Sequence, residues 1–103
     1  MTRYRINYSP EAEAQLDALH DYIAIEASPE IAKNYLGSIM GKCESLADFP
    51  SRGSPRSDLR PGLRTIPFRR RVTIIYATTP EEVLIIGVFY AGQDFEGMMR
   101  EDD

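Results

Sequence analysis

Arginine is the side chain in this sequence best suited to chemistry with an anion. Residues 52–71 contain seven arginines and one acid, Asp58, so this block carries a net charge of +6. A guanidinium binds a phosphate or a carboxylate through two parallel hydrogen bonds. The flanking blocks, residues 11–48 and 81–103, each carry a net charge of −6. The arginine block therefore either meets an anionic partner or neutralises the chain's own acidic segments.

Few other residues are equipped for catalysis or for metal binding. His20 is the single histidine and Cys43 the single cysteine, and they lie too far apart in sequence to suggest a zinc site or a Ser–His–Asp type of site. We therefore expect no metal and no cofactor. Cleavage of RNA needs a proton acceptor, a proton donor and cations around the phosphate. Tyr76 and Tyr90 are the candidate donors on predicted strands, although packed aromatic roles are more typical of such residues.

The residues that could bind must be positioned by a small number of elements. Residues 3–8 alternate tyrosine or isoleucine with polar side chains, which predicts a half-buried strand. The tripeptide Ser-Pro-Glu at residues 9–11 and again at 28–30 predicts two helix starts, with the second helix ending near Ala47. So short a connection predicts a helical hairpin. Residues 49–62 contain three prolines and two glycines and are expected to form a loop.

Three further strands are predicted after this loop. They are Leu63–Phe68, Arg71–Thr78 and Glu82–Tyr90, and the apolar content of the last two indicates central positions. The resulting order is β-α-α-β-β-β. It predicts an α+β fold in which the helical hairpin packs on one face of a mainly antiparallel sheet.

The length of 103 residues predicts a single domain, 1–103. Residues 94–103 are acidic and are expected to form either a frayed tail or a short turn docked through Phe95, Met98 and Met99. The longest apolar run, residues 83–92, is too short to span a bilayer, and the first residues lack the apolar core of a signal peptide. A soluble cytoplasmic protein is the simplest expectation.

Several short segments, in this order and spacing, resemble the RelE/ParE toxin superfamily, and its ParE branch most closely. The segments are Tyr8-Ser9-Pro10-Glu11-Ala12 with Leu16, Asp21-Tyr22-Ile23-Ala24, Ala32 through Leu46 with Phe49-Pro50 and Gly53, Gly62-Leu63-Arg64, Arg71 through Tyr76, the apolar strand Val83–Tyr90, and Tyr90-Ala91-Gly92-Gln93-Asp94. The resemblance covers nearly the whole chain, and the family fold agrees with the order of elements predicted above.

The resemblance implies a toxin of a type II toxin–antitoxin module, bound and silenced by an antitoxin encoded beside it. ParE-like members are associated with inhibition of DNA gyrase, and RelE-like members cut mRNA in the ribosome. Many members end in a motif like "HGARD", where this chain has Tyr90 for the histidine and Gln93 for the arginine. These departures favour the ParE-like interpretation, a binding protein and not an enzyme.

The candidate contact residues for gyrase or for the antitoxin are five arginines of the block and the two residues that depart from the terminal motif. They are Arg60, Arg64, Arg69, Arg70, Arg71, Tyr90 and Gln93. Two alternatives stay open. In a ribosome-dependent endoribonuclease, Arg64 and Arg71 would hold the phosphate and Tyr90 would assist proton transfer. In a non-toxic member of the fold, the same surface would bind only an antitoxin, because fold does not fix function.

Overall fold

The computed structural model of the protein describes residues 3–90. Along the chain these residues form two helices and five strands: β1 (Arg5–Tyr8), α1 (Pro10–Glu26), α2 (Pro29–Ser45), β2 (Ser54–Pro55), β3 (Leu63–Phe68), β4 (Val72–Thr78) and β5 (Glu82–Tyr90). The predicted α+β order is confirmed, with one added strand.

Both helices begin where the Ser-Pro-Glu tripeptides predict. The Ser9 hydroxyl oxygen accepts a hydrogen bond from the Ala12 amide, and Ser28 does the same for the Ile31 amide. Each cap satisfies a donor that has no partner within the helix, and the proline that follows lacks the donor altogether. The α2 helix ends at Ser45, two residues before the predicted end.

The sheet has the order β1-β5-β4-β3-β2. The β1 strand pairs with β5 in parallel, and every other neighbouring pair is antiparallel. The predicted mainly antiparallel sheet is therefore confirmed. The β2 strand was not predicted, because Ser54–Pro55 lies within the expected loop; a proline is tolerated there since β2 is an edge strand.

The main core fills the space between the helical hairpin and one face of the sheet. Its fully buried members include Ile39 and Cys43 of α2, Ile74 and Tyr76 of β4, and Ile85 of β5. A smaller cluster lies on the opposite face, where Leu59 from the loop packs with Leu63, Ile75 and Phe89. The loop thus covers the sheet face that the helices leave open. Among residues 3–90, no helix is long and apolar enough to cross a membrane.

Candidate functional site

Three consecutive arginines form the connection between β3 and β4, which we call the basic hairpin: Arg69, Arg70 and Arg71. All three are exposed. Arg69 has a φ of 51° and Arg70 a φ of 65°, so both lie in the left-handed region. A residue with a Cβ pays roughly 1–2 kcal/mol there, and glycine or asparagine is the usual choice for such turns. Arginine thus stands at two positions where the backbone favours a smaller residue.

Aromatic rings border the basic hairpin on the helical side of the sheet. Val72 pairs with Phe68 on one side and with Tyr90 on the other, so these residues form one row across β3, β4 and β5. The Tyr35 ring of α2 meets Phe68 with centroids 6.2 Å apart, and the Tyr22 ring of α1 meets Tyr90 with centroids 6.3 Å apart. We call Tyr22, Tyr35, Phe68 and Tyr90 the ring cluster.

Arg69 joins the basic hairpin to the ring cluster. Its guanidinium carbon lies 4.9 Å from the Phe68 ring centroid and 5.9 Å from that of Tyr35. One of its terminal nitrogens lies 3.4 Å from the Ser38 hydroxyl of α2. Contacts of a cation with ring faces at these distances are attractive, so Arg69 is held against the rings while its charge stays at the surface.

Tyr35 lies close enough to the arginines for their charges to affect the pKa of its hydroxyl. Burial raises the pKa of Tyr35 and the neighbouring Tyr90 raises it further, whereas Arg69 and Arg71 oppose the rise. Its hydroxyl oxygen is buried and has no hydrogen-bond partner in the described part of the chain. A shallow cavity adjoins this tyrosine, with a lining formed by Ile31, Asn34, Tyr35, Ser38 and Arg69.

The ion pairs identified within residues 3–90 lie away from the basic hairpin. Arg3 pairs with Asp48, Arg5 with Glu81, and Arg56 with Asp58. Within residues 3–90, no carboxylate forms an ion pair with Arg69, Arg70 or Arg71. Among residues 3–90, the acids of the flanking segments pair with Arg3 and Arg5 and not with the basic hairpin.

Arg64 has a different environment from the basic hairpin. Its Nη1 atom donates to the Gly53 carbonyl oxygen at 2.7 Å and to the Ser51 carbonyl oxygen at 3.2 Å, so this partly buried guanidinium already has hydrogen-bond partners within the fold. Arg64 lies four residues before Phe68, about 13 Å along an extended strand. It fastens the loop before β2 to the sheet.

The predicted site residues consequently do not form a single patch. Arg69, Arg70, Arg71 and Tyr90 lie at one end of the sheet, whereas Arg60 and Arg64 lie around the start of β3. Gln93 lies outside the described residues. The three residues expected for a ribonuclease, Arg64, Arg71 and Tyr90, do not lie together. Arg64 is near the start of β3, and most of this strand separates it from Arg71 and Tyr90 at the other end of the sheet.

Tyr76 occupies a structural position. It is fully buried, its hydroxyl donates to the Pro50 carbonyl oxygen at 2.8 Å, and it accepts from the Gly53 amide at 2.8 Å. The hydroxyl proton is thus held within the fold. In the described part of the chain, no group of three or more histidine, cysteine or acidic side chains is placed to hold a metal ion.

Sequence reasoning missed the contribution of Tyr22, Tyr35 and Phe68 to this surface. Each had been placed only within a predicted helix or strand and not among the candidate contact residues. Their grouping depends on the packing of the helices on the sheet, which no local sequence pattern reveals. What the arrangement offers chemically is one cation against ring faces and two exposed cations next to it in the chain, a combination suited to binding an anionic and partly apolar partner.

Comparison with known proteins agrees with this fold. A family model described as "ParE toxin of type II toxin-antitoxin system, parDE" matches residues 6–95. A solved structure described as "Chromosomal ParDE TA system from P. aeruginosa" is similar, with a TM-score of 0.75 and 22% sequence identity over 86% of this chain and 97% of that one. A search of curated proteins found no match. Since the family model spans most of the sequence, the chain belongs to the ParE toxin family of type II toxin–antitoxin systems.

Proposed function

We propose that this ParE-type toxin arrests growth by binding DNA gyrase, and that a cognate antitoxin encoded by an adjacent gene silences it by covering the basic hairpin and the ring cluster. Membership of the ParE family supports the choice of gyrase. Toxin, antitoxin and target would meet in the cytoplasm as protein–protein complexes, without a cofactor.

The observation that carries this proposal is the basic hairpin itself. Arg69 and Arg70 hold left-handed backbone conformations that glycine would adopt at lower cost. Strained backbone of this kind tends to occur at functional sites, where a particular side chain must be held in position for its role. Since no described carboxylate pairs with the hairpin, its three charges are available to a partner.

The chemistry of the surface specifies what kind of antitoxin segment would fit. Carboxylates would pair with the guanidinium groups, and apolar side chains would cover Tyr22, Tyr35 and the adjoining cavity. Charge complementarity of this kind accelerates association and excludes unsuitable partners. Desolvated rings and arginines are the residue types that most often dominate binding energy at interfaces.

A binding role suits this geometry better than RNA cleavage does. The Tyr76 hydroxyl is occupied by the Pro50 and Gly53 backbone, and the Arg64 guanidinium is occupied by loop carbonyls. Of the residues considered for cleavage, this leaves Arg71 and Tyr90, which lie at the same end of the sheet. RNA cleavage needs a proton acceptor as well as a proton donor, and these two residues supply at most one of the two.

The test is a gyrase assay with the purified protein, measuring supercoiling and trapped cleaved DNA with and without the product of the adjacent gene. A variant carrying Arg69→Gln, Arg70→Gln and Arg71→Gln should lose at least about tenfold in inhibition, a change expected when a few desolvated charges are removed from an interface. The matched control carries Arg3→Gln, Arg5→Gln and Arg52→Gln. It has the same net charge but leaves the basic hairpin intact, and it should inhibit like the parent protein.

Gyrase inhibition that the product of the adjacent gene reverses would support gyrase as the target and that product as the antitoxin. Unaffected gyrase, with the folded toxin in excess, would overturn gyrase as the target; cleavage of mRNA on translating ribosomes would then be measured with the same variants. Equal inhibition by the parent protein and the hairpin variant would remove the basic hairpin from the interface.

A further inference from the structure

A groove lies between the two helices of the helical hairpin and contains a cavity of about 310 Å³. Leu16 of α1 and Leu36 of α2 both line this cavity, and each is buried. Met40, one turn after Leu36, also lines the cavity and is 44% exposed. A large apolar side chain left exposed beside an apolar depression indicates an interaction site.

Acidic side chains border this groove. Glu13 and Asp17 of α1 line it and are exposed, and their spacing of four residues places both on one face of the helix. Burial is the main cause of the raised pKa of Tyr8, which also lines the groove, and the exposed Glu44 of α2 raises it further. Glu44 therefore lies near the same groove. In the described part of the chain, none of these three carboxylates forms an ion pair.

The groove and the basic hairpin lie on different sides of α2. Tyr35 and Ser38 contact Arg69. Leu36 and Met40 instead share a cavity with side chains of α1. The two surfaces also carry opposite charges, so they select different partner segments. A segment bound in the groove would therefore leave the basic hairpin uncovered.

The dimensions of the groove favour a helix as its occupant. The lining residues of α1 extend from Glu13 to His20, about 10 Å along the helix axis, which two turns of a partner helix would cover. An amphipathic helix places apolar side chains at intervals of three and four residues into a groove of this kind. Its opposite edges remain free to pair with charges at the border.

We propose that the groove between α1 and α2 binds a cationic amphipathic helix of a protein partner. Its apolar side chains would lie against Leu16, Leu36 and Met40, and its lysines or arginines would pair with Glu13 and Asp17. The acidic border explains the sign of the charge, and the exposed methionine provides the apolar contact. This surface is additional to the contacts proposed for gyrase and for the antitoxin and does not depend on them.

Fluorescence anisotropy with the full chain tests the binding. The probe is a labelled peptide of about 14 residues, or four turns, with leucines along one face and lysines along the other. A second probe has glutamate in place of every lysine. The lysine probe should bind at least about tenfold more tightly than the glutamate probe, because only the former complements the border of the groove.

A pair of charge variants tests the acidic border. Glu13→Gln combined with Asp17→Asn should weaken binding of the lysine probe about tenfold. The matched control is Glu11→Gln combined with Glu26→Gln, which makes the same change in net charge on the same helix. Both control residues are exposed but do not line the groove, so this variant should bind within about twofold of the parent protein, since distant charges are screened.

A second pair of variants tests the apolar contact. Met40→Ser should weaken binding of the lysine probe about fivefold, as expected for loss of an apolar anchor, and the effect should persist in salt that screens the charge pairs. Ile25→Ser is the matched control, because Ile25 is 81% exposed but does not line the groove. This control should bind like the parent protein.

Thiol protection locates the bound probe. Met40→Cys places a thiol in the groove, and Ile25→Cys places one outside it. The native Cys43 is fully buried and should react slowly with an alkylating reagent. A saturating amount of the lysine probe should slow labelling of Met40→Cys about tenfold, the protection given by nine-tenths occupancy. Labelling of Ile25→Cys should be unchanged.

Equal affinity for the two probes would overturn the proposal. So would equal losses in the Glu13/Asp17 variant and its control, because the attraction would then belong to the net charge of the protein and not to the groove. Unprotected Met40→Cys in the presence of bound probe would place the helix elsewhere. A dimer of the chain that the lysine probe dissociates would assign the groove to a second copy. None of these readouts uses gyrase or an antitoxin, so failure here and failure of the proposed function are separate results.

Discussion

The hydroxyl of Tyr76, in the middle of β4, accepts a hydrogen bond from the Gly53 amide at 2.8 Å across the edge of the sheet. The same hydroxyl donates to the Pro50 carbonyl oxygen. A Cβ on Gly53 would lie 2.6 Å from this hydroxyl and 2.8 Å from the Thr65 carbonyl oxygen. The tyrosine therefore anchors the loop that leaves α2, and position 53 needs glycine because the ring approaches the backbone so closely.

Tyr76→Phe should lower the free energy of unfolding by about 1–3 kcal/mol, because it leaves the buried Gly53 amide without its partner. Urea denaturation followed by circular dichroism measures this change. Tyr22→Phe is the control, since Tyr22 is exposed and should change stability by less than about 0.5 kcal/mol. Equal midpoints for the parent protein and Tyr76→Phe would show that water replaces the hydroxyl.

Arg70→Gly should separate stability from binding. Glycine relieves the left-handed strain at a φ of 65°, which should raise the free energy of unfolding by up to about 1 kcal/mol. The same change removes one charge from the basic hairpin and should weaken gyrase inhibition and antitoxin binding several-fold. Urea midpoints and titrations of the antitoxin measure the two effects on one protein. A variant that is more stable and binds fully would show that the Arg70 side chain has no part in recognition.

Stability should fall at alkaline pH because of Cys43. Burial raises the pKa of this thiol from 9.0 to about 11, so between these values the unfolded chain loses a proton that the folded chain keeps. The stabilisation is therefore complete below about pH 9 and is lost as pH rises toward 11, an effect on the order of 3 kcal/mol.

Cys43→Ala should flatten the fall in stability between pH 9 and 10, at a cost of roughly 1 kcal/mol at pH 7 for the lost packing. Burial also raises the pKa of Tyr8, with further contributions from Cys43 and Glu44, so a decline that begins near pH 10 should remain in the variant. Urea midpoints across this pH range give the measurement. An unchanged profile in Cys43→Ala would assign the whole alkaline decline to other groups.

Tyr90 distinguishes a binding toxin from a nuclease. Tyr90→Phe keeps the ring that meets Tyr22 and removes only the hydroxyl, so growth arrest should persist. Tyr90→Ala removes the ring and should weaken arrest, since aromatic anchors contribute much of the energy at interfaces. Growth of cells expressing each variant without the antitoxin provides the readout. Full loss of arrest in Tyr90→Phe, with normal folding, would favour proton transfer by the hydroxyl and thus RNA cleavage.

The elements of this protein were predictable because their signals are local. The Ser-Pro-Glu tripeptides cap the two helices where expected, and the predicted bounds of β3 and β5 agree with the structure. The first residues of β4 and β1 differ from the predicted ones for identifiable reasons. Arg71 belongs to the turn and not to β4, and β1 begins at Arg5 because the Tyr4 amide bonds to the Ala47 carbonyl.

The sequence by itself determined the caps, the strand pattern, the α+β order and the charge of the arginine block, because each depends on residues that are neighbours along the chain. Only the tertiary structure decided which arginines act together. Packing of the helices against the sheet brings Tyr35 to Arg69 and Tyr22 to Tyr90, while the Ser51 and Gly53 carbonyls engage Arg64 at the start of β3. Arginines of one sequence block therefore have different roles in the fold, because contacts between residues distant in sequence determine which guanidinium groups already have hydrogen-bond partners.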